Sequence, residues 1–126
     1  MFLEHVNMSV ADLDQTIAFY QQLLGLNVRW RGTTPSGLEA AHIGDERHYL
    51  ALFAIGDREH KEADYDELGL NHFGFVVDDL DTAKRKLKDL NVEPTMEADY
   101  EPGRRLYFLD PNGVEVELVQ YERQPN

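Results

Sequence analysis

Residues 3–10 alternate: Val6, Met8 and Val10 point one way, and Leu3, His5, Asn7 and Ser9 the other. Period-two alternation predicts a half-buried strand. The period then lengthens. Leu13, Ile17, Tyr20 and Leu24 recur at helical spacing and predict a helix with one apolar stripe. Asp12 with Gln15 makes a capping-box-like start, and Gly25 makes a stop. Residues 26–31 read as a strand and 32–37 as a turn bearing Thr, Pro and Ser. Residues 38–43 and 47–55 read as two strands around Gly44-Asp-Glu.

After a charged, non-periodic connector at 56–71 the pattern returns. Strand 72–77 sets Phe73, Phe75 and Val77 against His72, Gly74 and Val76, and helix 80–90 carries Leu80, Ala83, Leu87 and Leu90. His5-Val-Asn-Met-Ser-Val-Ala-Asp-Leu-Asp14 aligns with His72-Phe-Gly-Phe-Val-Val-Asp-Asp-Leu-Asp81 at an offset of 67 residues (72 − 5), and Leu26-Asn-Val28 returns as Leu90-Asn-Val92. Residues 94–104, with Pro94, Pro102 and Gly103, read as a loop. Residues 105–109 and 114–121 read as strands around the turn Asp110-Pro-Asn-Gly113, and the last five residues as frayed.

An internal repeat sets the architecture. The expectation is a single α+β domain over 1–126, built of two repeats at about 1–56 and 70–122, each a strand, a helix and three strands. Alternation leaves one sheet face apolar beneath the helix and the other lined by polar side chains. Side by side, two such halves would make a curved sheet with helices outside and a polar-lined concave face.

Composition narrows the partners. A net charge of −12 repels nucleic acid and anionic membrane, so neither is expected. The absence of cysteine excludes disulfides, thiolate metal sites and Cys nucleophiles. With no signal-peptide pattern and no apolar run long enough for a bilayer, a cytoplasmic location is expected.

The repeat puts His5 and His72 at equivalent points of two strands, on the face away from the helix. In the final strand the same parity separates Val116 and Leu118 from Glu115, Glu117, Val119 and Tyr121, which places Glu117 on the histidine face. Two imidazoles and a carboxylate form a set that binds Fe(II), Mn(II), Zn(II), Ni(II) or Co(II) and leaves positions open for substrate oxygens. The plainer reading is two ordinary strand histidines and a surface acid.

The segments around His5, Ile17-Ala-Phe-Tyr-Gln-Gln-Leu-Leu-Gly-Leu26, Asn71-His-Phe-Gly-Phe-Val-Val77 and Tyr107-Phe-Leu-Asp-Pro-Asn-Gly-Val-Glu-Val-Glu-Leu-Val119 resemble the vicinal oxygen chelate superfamily. This group holds glyoxalase I, methylmalonyl-CoA epimerase, extradiol dioxygenases, fosfomycin-resistance transferases and bleomycin-binding proteins. The resemblance implies paired βαβββ modules in a curved mixed sheet of the glyoxalase/bleomycin resistance/dihydroxybiphenyl dioxygenase kind. It further implies a homodimer, a small-molecule substrate, and His5, His72 and Glu117 as metal ligands.

The chain departs from glyoxalase I, which calls for a fourth ligand in the last strand of the first half. Matching Tyr49-Leu-Ala-Leu-Phe53 to the final strand puts Ala51 there. His42 and His48 stand nearby as surface or packing residues. The three-ligand set resembles the dioxygenases and fosfomycin-resistance transferases, and Leu106 to Glu117 matches a dioxygenase run in which Tyr107 would hydrogen-bond a substrate oxygen. His60 is a loose match to the dioxygenases' acid–base histidine. Asn7, Ser9, Arg47, Tyr49, Arg105 and Tyr121 have the parity to line the cup, and Arg47 or Arg105 could hold an anion. Trp30 is expected in the core.

The resulting expectation is a metal-dependent small-molecule enzyme leaning to dioxygenase chemistry on Fe2+, with Mn2+, Zn2+, Ni2+ and Co2+ as alternatives and Tyr107 as the catalytic group. A glyoxalase-like isomerase or lyase, or a thiol transferase, is the alternative. From another class comes a non-catalytic drug-binding resistance protein.

Overall fold

A computed structural model describes residues 1–122; residues 123–126, the end of the stretch expected to fray, lie outside the described residues. The chain divides into two compact units, Met1–Glu59 and His60–Asn126. The boundary falls inside the expected connector.

The first unit runs β1 (His5–Val10), α1 (Leu13–Leu24), β2 (Asn27–Thr33), β3 (Glu39–Gly44) and β4 (Tyr49–Ala54). Its sheet has the order β1-β4-β3-β2, with β1 parallel to β4 and the other pairs antiparallel. Asp12 caps α1 by accepting from the Gln15 backbone N–H at 2.9 Å. Gly25 ends it in the left-handed region at φ 70°, which glycine adopts without a Cβ clash. Helix α1 buries Leu13, Thr16, Ile17, Phe19, Tyr20 and Leu23 and packs on β3 and β4. Register puts Met8 beside Leu52 and Ile43 beside Leu50; all four are buried and form the core.

The second unit repeats the plan with β5 (Phe73–Val76), α2 (Leu80–Asp89), β6 (Met96–Tyr100), β7 (Gly103–Leu109) and β8 (Glu115–Tyr121). Its order is β5-β8-β7-β6, with β5 parallel to β8. Asp79 caps α2, its carboxylate accepting from the backbone of Asp81 and Thr82. Leu80, Ala83 and Leu87 are buried on the helix, and Leu106, Phe108, Val116 and Leu118 are buried in the sheet.

One sequence expectation fails here. Residues 96–100 were expected within a loop, yet they form β6, paired antiparallel to β7. The strand is a sheet edge with its side chains largely exposed. Met96, Ala98 and Tyr100 do alternate with Glu97 and Asp99, but at the sheet edge Met96 and Tyr100 stay more than half exposed. Among the described residues, no helix is long and apolar enough to cross a membrane.

Candidate functional site

The repeat predicts that Ala51 stands where Glu117 stands, and register bears this out. Asn7 pairs with Ala51, and Gly74, 67 residues on from Asn7, pairs with Glu117. On β3, His42 is the partner of Ala51; on β7, Tyr107 is the partner of Glu117. The two halves thus present equivalent positions on the face away from the helix, filled by different chemistry.

In the second unit His72 and Glu117 come together. His72 Nε2 lies 3.1 Å from Glu117 Oε1, with the side chains 25% and 13% exposed. The other ring nitrogen is committed elsewhere: His72 Nδ1 lies 2.8 Å from Asn71 Oδ1 and 3.1 Å from the Tyr65 hydroxyl. That hydroxyl donates its own proton to Glu115 Oε1, so toward His72 it accepts, and Nδ1 carries the ring proton. The bond to Glu115, with burial behind it, pushes the Tyr65 phenol up to about 12. With Nδ1 protonated, the Nε2 lone pair of a neutral ring faces a carboxylate oxygen. Two acceptors face each other stably only around a proton or a cation. An imidazole nitrogen beside a carboxylate oxygen, 3.1 Å apart, is a donor pair that would suit a divalent ion.

The far oxygen of Glu117 is also held. Arg105 Nη1 donates to Glu117 Oε2 at 3.1 Å, and the Arg105 guanidinium lies over the Tyr100 ring, 4.8 Å from its centroid. Tyr107 meets His72 edge-on at 5.2 Å between centroids. Burial first, and hydrogen bonding to Glu117 second, push the Tyr107 phenol up. It therefore stays protonated near neutrality, with its single O–H directed to Glu117. Gly74 leaves room for Glu117, since a Cβ there would stand 3.4 Å from Glu117 Cβ and 3.3 Å from its carbonyl oxygen.

The first unit builds a similar holder around His5. His5 Nδ1 donates to Glu4 Oε1 at 2.9 Å, because a carboxylate only accepts, and this frees Nε2. The Tyr49 hydroxyl donates to the same Glu4 oxygen at 3.1 Å, and its ring stacks on His5 at 4.9 Å. These two bonds hold the Glu4 carboxyl below the usual range. Each histidine is thus oriented by the side chain just before it and by a tyrosine. Such outer hydrogen bonds fix the tautomer of a metal-ligating histidine. Among the described residues no group of three or more His, Cys, Asp or Glu side chains is gathered that could hold a metal ion. His5 stands on one unit; His72 and Glu117 stand on the other.

Other expected positions fall differently. Trp30 is not core: it is 43% exposed and packs on His42. Arg47 sits in the turn before β4 with its guanidinium over Phe2, and His48 pairs there with Asp45 at 3.8 Å. His42 stacks on Tyr49 at 4.5 Å, a packing role as expected. His60 lies over the β7–β8 turn, where a Cβ on Gly113 would come within 1.8 Å of its ring. Sequence reasoning missed Glu4, Asn71 and Tyr65. The first two had a signal, a polar residue before each repeated histidine; Tyr65, inside the connector, had none.

Comparison with known proteins gives the chain's family. The family model described as the Glyoxalase/Bleomycin resistance protein/Dioxygenase superfamily matches residues 2–118. The chain is 28% identical to the glutathione transferase FosA of Serratia marcescens over 92% of its own length and 78% of that protein. It is 27% identical to a probable lactoylglutathione lyase of Synechocystis over 95% of each chain. A solved fosfomycin resistance protein, FosX of Listeria monocytogenes, complexed with Mn(II) and 1S,2S-dihydroxypropylphosphonic acid, shares the fold at a TM-score of 0.74 and 22% identity, covering 94% of this chain and 90% of that one.

Proposed function

Because the chain belongs to the glyoxalase/bleomycin resistance protein/dioxygenase superfamily, we propose that it is a divalent-metal-dependent enzyme of small molecules, with His5, His72 and Glu117 as its ligands. The observation that carries this reading is the 3.1 Å approach of His72 Nε2 to Glu117 Oε1, with the opposite ring nitrogen and the opposite carboxylate oxygen both tied back. A bound divalent ion would act there as a Lewis acid, stabilising charge that develops on a substrate oxygen. Around it, Asn71, Tyr65 and Glu4 hold the imidazoles in the ligating tautomer. Arg105 keeps the Glu117 carboxylate turned, and the Tyr107 phenol would redirect its O–H from Glu117 to a substrate oxygen.

The named relatives, a glutathione transferase and a lactoylglutathione lyase, favour thiol transfer or a lyase/isomerase reaction over the dioxygenase chemistry expected from the three-ligand set. The manganese in the FosX complex likewise moves the preferred ion from iron toward manganese. The test is the metal content of protein purified without chelator or affinity metal, beside Glu117→Ala. Stoichiometric metal in the parent and its loss in the variant are expected. Thiol-transfer or isomerase turnover should track the metal, whereas oxygen uptake with catechols should not. A parent that takes up no metal after reconstitution with Mn2+, Fe2+, Co2+, Ni2+ or Zn2+ refutes the reading and leaves a non-catalytic binder.

A further inference from the structure

Strand β2 contains one residue more than its partner. Val28 pairs with Ile43 and Trp30 with His42, so Arg29 is an inserted residue, a β-bulge. In a regular strand Arg29 and Trp30 would point to opposite faces. The bulge turns both to the face that carries His5: the Arg29 guanidinium lies over the Tyr49 ring at 4.4 Å, and the Trp30 ring meets His42 at 4.9 Å. His5, Tyr49 and His42 already form a stack on that face. Bulges gather at sites where a side chain must be re-aimed.

Both side chains are held and still open. The Trp30 indole lies along the strand above Gly32, where a Cβ would fall 2.6 Å from Trp30 Cζ2, yet the residue is 43% exposed. Arg29 is exposed, and among the described residues no carboxylate lies within ion-pair distance of it, although Arg31, Arg104 and Arg105 each have one. In a chain with 24 acids against 12 Lys plus Arg, Glu4 and Asp45 act on this arginine only through space, and no direct ion pair occupies its edge against an external anion. Stacking on Tyr49 occupies the guanidinium face and leaves its N–H edge, the part that forks onto carboxylate or phosphonate oxygens.

We propose that Arg29 and Trp30 form a recognition subsite for a flat organic anion, whose carboxylate or phosphonate takes the Arg29 edge and whose apolar body lies against the Trp30 indole. The subsite does not depend on a metal, so it is tested in protein held in chelator. Trp30 is the only tryptophan, and its emission reports the site directly.

Benzoate and phenylphosphonate should each change that emission saturably, the tighter of the two identifying the preferred head group, while benzyl alcohol should not. Arg29→Gln should weaken binding about tenfold, as expected for loss of charge-assisted hydrogen bonds. Gly32→Ala, which alters neither recognition residue but displaces the indole, should shift the emission maximum and weaken binding too. Absence of saturation with either anion overturns the proposal. So does an equal response to benzyl alcohol, or unchanged affinity in Arg29→Gln. None of these results bears on whether Glu117 binds a metal.

Discussion

The Arg105–Glu117 pair allows a quantitative test in metal-free protein. The two side chains are 14% and 13% exposed, and Arg105 Nε is buried without a partner. Glu117→Leu would therefore leave a guanidinium almost out of water, beside the Tyr100 ring. Breaking a buried pair from one side costs about 3–5 kcal/mol, and the residual exposure places this case near about 3 kcal/mol. At about 2.1 cal/mol/K of unfolding entropy per residue, that is a fall of about 11 °C in Tm for a chain of this length. Arg105→Met alone should cost less, about 2 kcal/mol, because Glu117 keeps His72 Nε2 at 3.1 Å. The combined Arg105→Met, Glu117→Leu variant should return to within about 1 kcal/mol of the parent, since an apolar pair of similar volume replaces two mutually dependent charges. Thermal unfolding followed by circular dichroism in chelator measures all four proteins. If the double variant loses the sum of the two single losses, the pair is not coupled and the assigned contact is wrong.

Two further outcomes follow from the same structure. Burial first, with the Arg29 and His5 cations behind it, pushes the His42 imidazole below its usual 6.5. The unfolded chain therefore binds this proton more readily, and the stability it confers is complete above pH 6.5 and lost as pH falls through the lower, folded-state value. His42→Asn should flatten the fall in Tm on acidification below about pH 6.5, measured against the parent in matched buffers. Leu106 is fully buried between strands, so Leu106→Ala should cost about 2–5 kcal/mol in denaturant unfolding.

Much of this architecture is legible as alternation. Met8 and Val10 on one side of β1 and His5 and Asn7 on the other follow directly from period two. The offset between His5 and His72 then carries the whole second module. Parity also places Glu117 beside His72, because β8 is regular from Glu115 to Tyr121. It fails where backbone regularity fails. Trp30 reads as core only if β2 has no extra residue, and the bulge at Arg29 removes that condition. Strand β6 is overlooked although Met96, Ala98 and Tyr100 alternate with Glu97 and Asp99, because Pro94, Pro102 and Gly103 frame it like a loop. Tyr65 reaches His72 and Glu115 from a charged connector by tertiary folding alone, which no local pattern encodes.

The facing pairs Asn7–Ala51 and Gly74–Glu117 conserve bulk by moving it from one strand to its neighbour. The Asn7 amide fills the space beside Ala51 and donates to its carbonyl at 3.0 Å; the bare Gly74 yields that space to Glu117. Placing a carboxylate at position 51 would crowd Asn7, and trimming Asn7 would remove the amide's hydrogen bond to the Ala51 carbonyl. Each change is unfavourable unless the other is already present. The two neighbouring positions are thereby coupled through packing: in the first unit a bulky side chain at position 51 is costlier while Asn7 holds the space than after Asn7 has given it up.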